Sequence, residues 1–254
     1  MKLSLNKIEK LQGRFIIPYI KEHERLKKVF GVVSYSPAFM VERKLEAILE
    51  GALQVVSLGS SLRRDTFKVI TKRSDKRFPL TSPELSREVG RYIEKHSSLT
   101  FLRESADCIL NIEINSYGVF LFTEVISCFG GLPVGVEGRV ALLVEDQNSL
   151  LAGILIMKRG GRVIPLAIRG NDWSLIDLSL LQEYDPKSLP LIVVGSFQEF
   201  DKKARELRAK MMVSGQLLAT IKNYDSQLAV LRPLIAYTKE RVKEDLKVFN
   251  FQCI

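Results

Sequence analysis

The fold of the second half of the chain is decided by residues 139–168, which read RVALLVEDQNSLLAGILIMKRGGRVIPLAI. The pattern predicts an apolar strand at Arg139–Val144, an amphipathic run at Ile154–Gly160 and a second strand at Arg162–Ile168. Further strands are predicted at Pro190–Val194 and Met211–Val213, with helices between them. Strands that alternate with helices form parallel sheets covered on both faces. The sequence therefore predicts an α/β domain with a mostly parallel sheet.

The loop after the first of these strands carries two adjacent carboxylates, Glu145 and Asp146. Strand, loop and helix together resemble the ATP-pyrophosphatase (PP-loop) segment of the tRNA 4-thiouridine synthetases, whose signature is Ser-Gly-Gly-x-Asp-Ser; only Ser149 agrees with it. A phosphate-binding loop needs glycines so that backbone N–H groups can approach the anion, which two carboxylates would repel. We therefore expect a vestigial nucleotide loop, formed by Val144, Glu145, Asp146, Gln147, Asn148 and Ser149.

Two later segments are also similar to this family. Residues 213–219 (VSGQLLA) resemble its second strand-loop motif, and residues 230–240 (VLRPLIAYTKE) resemble its Leu-Arg-Pro-Leu-Ile block. The resemblance implies an adenine-nucleotide α-hydrolase-like fold and a cysteine in this domain that forms the sulfur-transfer intermediate. Cys108, Cys128 and Cys253 all lie outside the corresponding region. We therefore assign no catalytic residue.

The first part of the chain has an α+β pattern. Strands are predicted at Gly13–Ile17 and Val32–Pro37, and helices at Lys21–Phe30 and around Val41–Val55. This pattern resembles the ferredoxin-like module that begins the thiouridine synthetases, but in a shortened form, because in the family a further strand and helix precede the equivalent of Gly13. Either the shortened module has an edge strand that must be covered, or another subunit completes it. We expect a homodimer.

The middle section follows a flexible connector, Gly59-Ser60-Ser61. Its predicted elements are a strand at Thr66–Thr71, a helix N-capped by Ser82 that runs to about His96, and strands at Asp107–Ile114 and Gly118–Thr123. Residues 71–90 (TKRSDKRFPLTSPELSREVG) resemble the THUMP domain of the synthetases, in which a basic run and Phe-Pro precede a Ser-Pro-Glu helix start. The resemblance implies a domain that binds the acceptor end of tRNA.

Six cations of this stretch can converge on a phosphate backbone. We expect four of them on a single loop, and the other two on the following helix, one helical turn apart from each other. The candidate RNA-binding residues are Lys72, Arg73, Lys76 and Arg77 on the loop and Arg87 and Arg91 on the helix. No array of aromatic residues accompanies them, so recognition of RNA shape and backbone is expected. A solvated charged loop is the alternative, and Phe78 is predicted to anchor the core rather than to stack on a base.

Composition limits the remaining functions. The 254 residues include 38 basic and 29 acidic side chains, a net charge of +9 that favours a polyanionic partner. The three cysteines have no metal-ligand spacing and form no Cys-x-x-Cys pair, so no zinc or redox site is expected. The start of the chain lacks the apolar segment of a signal peptide, and no apolar run is long enough to span a bilayer. A soluble, cytoplasmic protein is expected.

These observations divide the chain into a truncated ferredoxin-like module (residues 1–56), a THUMP domain (57–128) and a degenerate PP-loop α/β domain (129–254). The favoured hypothesis is a non-catalytic protein without a cofactor that binds tRNA or another structured RNA, as a subunit or chaperone of a tRNA-modification complex. Two alternatives remain open. One, the third hypothesis, is a structural or metabolite-sensing protein whose crevice at the strand carboxyl ends binds another ligand.

The second hypothesis is an active tRNA 4-thiouridine sulfurtransferase, or another ATP-dependent tRNA-modifying enzyme, with an altered nucleotide loop. Such an enzyme would hold the phosphates of ATP with groups other than glycine amides. The candidates are Arg139, Lys158 and Arg159, with Mg²⁺ on Asp146.

Overall fold

The computed structural model describes residues 8–11, 13–58, 65–170, 173 and 176–249. The chain divides into two compact units. One comprises the described part of residues 35–126, and the other comprises the described residues before position 35 and after position 126. The connector predicted at Gly59-Ser60-Ser61 and the terminal Cys253 lie outside the described residues.

Strands and helices alternate irregularly in the first half of the chain and regularly in the second. The strands are β1 (Glu9–Leu11), β2 (Arg14–Ile16), β3 (Ser34–Tyr35), β4 (Phe39–Val41), β5 (Thr66–Arg73), β6 (Thr100–Phe101), β7 (Cys108–Ile114), β8 (Val119–Phe122), β9 (Ile126–Ser127), β10 (Gly138–Leu143), β11 (Gly161–Ile168), β12 (Ile192–Val194), β13 (Ala209–Ser214) and β14 (Ala229–Leu231). The α-helices are α1 (Leu45–Leu58), α2 (Ser82–His96), α3 (Gln147–Lys158), α4 (Ser179–Tyr184), α5 (Phe197–Glu206) and α6 (Lys239–Phe249).

The unit of residues 35–126 contains a mixed five-stranded sheet in the order β4-β8-β7-β5-β6. β5 is parallel to β6 and β7, whereas β8 is antiparallel to β7 and β4. Alternate strand residues such as Phe67 and Ile112 are fully buried and pack with Ile48 of α1 and Leu85 of α2. The predicted α+β architecture of this part of the chain is therefore confirmed, with both helices contributing to one core.

Helix α2 begins one residue earlier than the prediction, because Thr81 and not Ser82 is the N-cap. The carboxylate of Glu84 accepts hydrogen bonds from the backbone N–H and the hydroxyl of Thr81, both at 2.7 Å. This reciprocal arrangement satisfies donors that a helix start leaves without intrahelical partners. Gly90 lies in the middle of the helix because a Cβ atom there would come within 2.5 Å of the Phe101 ring. The helix ends at His96, as predicted.

The second unit contains a five-stranded sheet in the order β12-β11-β10-β13-β14, and every pair of neighbouring strands is parallel. Leu142 and Val213 belong to the core on one face of this sheet, and Leu143 and Met212 belong to the core on the other. Strands buried on both faces have near-continuous apolar sequences, which is the pattern that predicted them. The predicted α/β domain is confirmed, and β14 is a fifth strand that the sequence analysis did not identify.

The strand predicted at Gly13–Ile17 is confirmed as β2, but the elements predicted at residues 21–37 differ from the structure. The helix predicted at Lys21–Phe30 is a short 3₁₀ helix at His23–Lys28, and the strand predicted at Val32–Pro37 is reduced to β3. None of the residues of this 3₁₀ helix is buried, so packing against a core does not favour a longer helix. Phe30 instead inserts its ring into the α/β core, stacked on Tyr184 at 4.7 Å between ring centroids.

Candidate nucleic-acid interface and the loop between β10 and α3

The basic segment of residues 72–91 continues from β5 through a loop into α2. Lys72 and Arg73 are the last two residues of β5, so they lie on a strand and not on the predicted loop. Lys76 and Arg77 are exposed on the loop itself. The strand extends two residues beyond the predicted Thr71 because its pairing with β7 continues to the register of Arg73 with Ile114.

Arg73 organises the loop that follows it. Its Nη1 atom donates hydrogen bonds to the backbone oxygens of Phe78 at 2.7 Å and Leu80 at 2.5 Å. The side chain of Phe78 is 4% exposed and lies in the core, which confirms the prediction that it anchors the fold. Arg73 therefore has a structural function, since binding a phosphate with the same N–H groups would break these contacts.

Asp75 is the second organiser of this loop, and its side chain is only 7% exposed. Its carboxylate lies 2.8 Å from Nη1 of Arg43 and 2.7 Å from Nη2 of Arg77. Hydrogen bonds from the side chain and backbone N–H of Arg77, together with the charge of Arg43, hold the pKa of Asp75 well below its usual value. Arg43 also donates to the backbone oxygen of Asn115 at 2.5 Å, which fixes the loop to the turn between β7 and β8.

Helix α2 presents a row of exposed cations. Arg87 and Arg91 are one turn apart, as predicted, and Lys95 continues the same spacing by another turn. Nη1 of Arg91 lies 3.7 Å from the carboxylate of Glu88, an exposed and therefore weak pair. Lys95 was not among the predicted RNA-binding residues, although its spacing of four residues from Arg91 could have identified it. The three side chains give a positive stripe along the helix.

The loop between β10 and α3 is closed by its own polar groups. Asp146 is the N-cap of α3, and its Oδ1 atom accepts a hydrogen bond from the backbone N–H of Ser149 at 3.2 Å. The hydroxyl oxygen of Ser149 accepts from the backbone N–H groups of Glu145 at 3.1 Å and Asp146 at 3.4 Å. A helix start is an anion-binding position because its N–H groups point outward. Here three of the N–H groups in this loop already have partners within the loop.

Glu145 is held by a network from the carboxyl ends of the neighbouring strands. The Tyr224 hydroxyl donates to the Glu145 carboxylate at 2.7 Å, and Nε2 of Gln216 donates to the same hydroxyl at 2.5 Å. Nε of Arg232 donates in turn to Oε1 of Gln216 at 3.1 Å. Burial raises the pKa of Tyr224 above its usual value, and the adjacent Glu145 carboxylate raises it further. The hydroxyl therefore remains protonated and can donate to the carboxylate.

Gly215 allows β13 to approach this loop closely. A Cβ atom at position 215 would lie 2.5 Å from the backbone nitrogen of Ser149. No side chain fits at that distance, so the segment after β13 packs directly against the first turn of α3. The loop between β10 and α3 is thus enclosed by backbone on one side and by the Glu145–Tyr224 hydrogen bond on another.

The cations considered for an altered nucleotide site do not lie at this loop. Arg139 is at the start of β10, while Lys158 and Arg159 are at the end of α3. A helix of 12 residues is about 18 Å long. The three side chains are therefore at the opposite end of these elements, and Arg139 donates to the backbone oxygen of Leu207 at 3.1 Å. Both carboxylate oxygens of Asp146 also accept hydrogen bonds, from Ser149 and Asn148.

Comparisons with known proteins identify the family. Residues 42–124 match the THUMP domain family. The chain is 33% identical over 268 aligned positions to a probable tRNA sulfurtransferase of Moorella thermoacetica, and the match covers 87% of this chain and 67% of that protein. The chain belongs to the tRNA sulfurtransferase family. A probable tRNA sulfurtransferase of Thermococcus kodakarensis is 28% identical, with 96% of this chain and 77% of that protein covered.

Solved structures agree with this membership. The crystal structure of PH1313 from Pyrococcus horikoshii Ot3 superposes with a TM-score of 0.81 at 32% identity and covers 96% of this chain and 87% of that one. A 4-thiouridine synthetase in complex with RNA and ATP superposes with a TM-score of 0.84 at 24% identity, with 96% of this chain and 76% of that one covered. The second likeness shows the fold. Within the described residues, no helix is long and apolar enough to cross a membrane.

Two of the three cysteines can be placed in this family member. Cys108 is buried on β7, and Cys128 is half-buried just after β9. Burial raises the pKa of the Cys128 thiol, which disfavours the thiolate that a sulfur-transfer nucleophile requires. Neither thiol lies within the segment from β10 to α6 that forms the parallel sheet and its helices.

Proposed function

We propose that this member of the tRNA sulfurtransferase family binds tRNA with the unit of residues 35–126, here called the THUMP unit because it contains the THUMP match. We also propose that it does not carry out ATP-dependent sulfur transfer. The observation that carries the proposal is the loop between β10 and α3. Glu145 and Asp146 stand at the two positions where the Ser-Gly-Gly-x-Asp-Ser signature has its glycines. Asp146 and Ser149 take up the backbone N–H groups that a phosphate would need.

Two energetic effects oppose nucleotide binding at this loop. An incoming triphosphate would have to displace hydrogen bonds within the loop, each contributing about 1 kcal/mol. It would also approach the Glu145 and Asp146 carboxylates, and none of Arg139, Lys158 and Arg159 lies at this end of α3 to offset the repulsion. Both effects support a PP-loop that is degenerate in function as well as in sequence.

The RNA-binding part of the proposal rests on the exposed cations of the THUMP unit. Lys72 lies at the end of β5, Lys76 and Arg77 on the following loop, and Arg87 and Arg91 on α2. Arg73 contributes by fixing the loop rather than by binding a phosphate itself. Recognition of the sugar-phosphate backbone of structured RNA fits this surface, because cations predominate on it.

The same proposal includes the setting in which the protein works. The chain forms a homodimer in the cytoplasm. Without catalysing modification itself, this homodimer binds tRNA beside a catalytic tRNA-modification enzyme. The dimer is tested by measuring the mass of the purified protein in solution. A monomer at all accessible concentrations would remove that part of the proposal without affecting tRNA binding.

The decisive experiment is a titration of the protein with total tRNA, with and without Mg-ATP, at two salt concentrations. Tight binding that weakens with salt and is indifferent to ATP is expected. A parallel thermal-unfolding experiment should show stabilisation by tRNA and none by millimolar Mg-ATP, with the tRNA sample serving as the positive control. Stabilisation by Mg-ATP, or tRNA binding that requires it, would instead favour an active sulfurtransferase with an altered loop.

A further inference from the structure

A groove on the α/β unit is not used by the proposed function. It lies between the end of α3, from Leu155 to Arg159, and the segment from Leu231 to Tyr237, and its volume is about 460 Å³. This volume is within the range of sites that bind small molecules, about 300–1,000 Å³. The groove is lined by the C-terminal half of α3, whereas the loop that holds Glu145 and Asp146 precedes the N-terminus of that helix.

Cations border this groove. Lys158, Arg159 and Arg232 line it, and no carboxylate is among the described residues that do so. The Arg159 side chain is exposed at the C-cap of α3. Arg232 is held in place because its Nε donates to Gln216 and its Nη2 donates to the backbone oxygen of Lys222 at 2.8 Å. Because these N–H groups already have partners, Arg232 forms part of the groove wall, and Lys158 and Arg159 are the cations that can meet an anion.

A rigid aromatic ring completes the lining. Tyr237 borders the groove, and the guanidinium carbon of Arg241 lies 4.8 Å from its ring centroid. Burial and a hydrogen bond with Asp245 raise the pKa of the Tyr237 hydroxyl. The ring is thus fixed by two residues of α6, and because Arg241 lies over one of its faces, a nucleobase would stack on the other.

We propose that this groove binds a nucleotide of single-stranded RNA, with the base against Tyr237 and its flanking phosphates on Lys158 and Arg159. Charge complementarity indicates an anion, and the aromatic and apolar walls indicate that the anion carries a flat, weakly polar group. The inference rests on the proposed tRNA-binding function, because an unpaired segment of a bound tRNA supplies such nucleotides. The groove would add a base-stacking contact to the phosphate contacts that the exposed cations of the THUMP unit make.

The test uses fluorescence anisotropy of labelled hexauridylate with the full-length protein. The variants are Arg159→Gln, which removes an exposed charge, and Tyr237→Leu, which removes the ring and keeps an apolar side chain. Lys243→Gln is the matched control, because Lys243 is an exposed cation of α6 that does not line the groove. Intact tRNA is titrated in parallel, and circular dichroism verifies that each variant is folded.

Hexauridylate affinity should fall about tenfold or more in Tyr237→Leu, the range measured for the loss of one stacking residue. Arg159→Gln should reduce the slope of log K against log salt by about 0.7, the value for one phosphate contact on a single strand. The control should match the parent protein. If Tyr237→Leu does not fold, the Arg159→Gln slope decides the question alone.

Three results would overturn the inference. Unchanged hexauridylate affinity and slope in Arg159→Gln would show that the groove is not the binding site. Binding of tRNA without any binding of hexauridylate would do the same and leave the proposed function intact, whereas binding of hexauridylate without tRNA would remove the proposed function instead. Displacement of hexauridylate by an equal concentration of AMP would assign the groove to free nucleotides rather than to an RNA strand.

Discussion

Asp75, in the loop after β5, and Asp146, in the loop before α3, both accept hydrogen bonds from donors of their own loops, but with opposite consequences. Asp75 binds the side chains of Arg43 and Arg77, and the loop it organises leaves Lys72 and Lys76 exposed. Asp146 binds backbone N–H and so occupies an anion-binding helix start. An aspartate that organises a loop can therefore either support a cationic surface or occupy the donors that an anionic ligand would use, depending on which donors bind it.

The largest expected effect concerns the cationic stripe of α2. The triple variant Arg87→Gln, Arg91→Gln, Lys95→Gln should bind tRNA about ten- to a hundredfold more weakly near 0.15 M salt, because each phosphate contact contributes about 0.9 to the salt slope. The matched control is Lys239→Gln, Lys243→Gln, Lys247→Gln, which removes three exposed cations at the same spacing on α6. Binding isotherms at several salt concentrations measure both quantities.

Equal losses in the two triple variants would mean that tRNA responds to net charge alone. The cations of α2 would then contribute no more to tRNA binding than those of α6. An unchanged slope in the α2 variant would show that these side chains do not contact phosphates, and the contact would have to be sought on Lys72 and Lys76.

The next effect separates a structural arginine from an exposed one. Arg73→Met removes two hydrogen bonds to backbone oxygens and should lower the free energy of unfolding by about 2 kcal/mol. Arg77→Met removes a side chain that is 77% exposed and its ion pair with Asp75, and should lower the free energy of unfolding by less, at most about 1 kcal/mol. Urea denaturation of both variants makes the comparison. A larger loss in Arg77→Met would reverse the assigned functions of the two residues.

The sequence predicted the elements whose residues carry their own signal. β10 and β11 are continuous apolar runs, and the turn between β7 and β8 is marked by Asn115 and Gly118, so both regions were predicted closely. The N-cap of α2 was displaced by one residue because Thr81 and Ser82 are both good capping residues. The α-helix predicted at Lys21–Phe30 was wrong because the residues that form the 3₁₀ helix there are not buried, and a short helix without tertiary packing is not stable.

Contacts between distant segments could not be predicted in the same way. Arg43 reaches Asp75 across 32 residues, and Tyr224 reaches Glu145 across 79, and neither pair has a local sequence signal. The function of Arg73 also depends on the path of a loop that only the folded chain defines. Sequence patterns indicate which residues are charged, whereas tertiary structure decides which of those charges already have partners.

A smaller effect is expected at the helix start itself. Asp146→Ala should lower the free energy of unfolding by about 1 kcal/mol, the typical value of an N-cap residue, and should leave tRNA affinity unchanged. Asp146→Asn is the matched control, because asparagine also caps helices and should retain most of the stability. Thermal unfolding and a tRNA titration measure the two properties. A loss of tRNA affinity in either variant would connect this loop to RNA binding and contradict its assignment as vestigial.

The smallest expected effect is the pH dependence contributed by Asp75. Its pKa is lowered in the folded protein, first by the hydrogen bonds from Arg77 and also by the charge of Arg43, so folding favours the ionised form. The stabilisation is therefore complete above the ordinary aspartate pKa of about 4 and is lost progressively as the pH falls below it. In Asp75→Asn this contribution is absent, so the difference in Tm between parent and variant should be constant from pH 7 to about 5 and shrink toward pH 3. A difference that grew on acidification would mean that the carboxylate is disfavoured in the folded loop, and Asp75 would then not be the residue that supports the cationic surface.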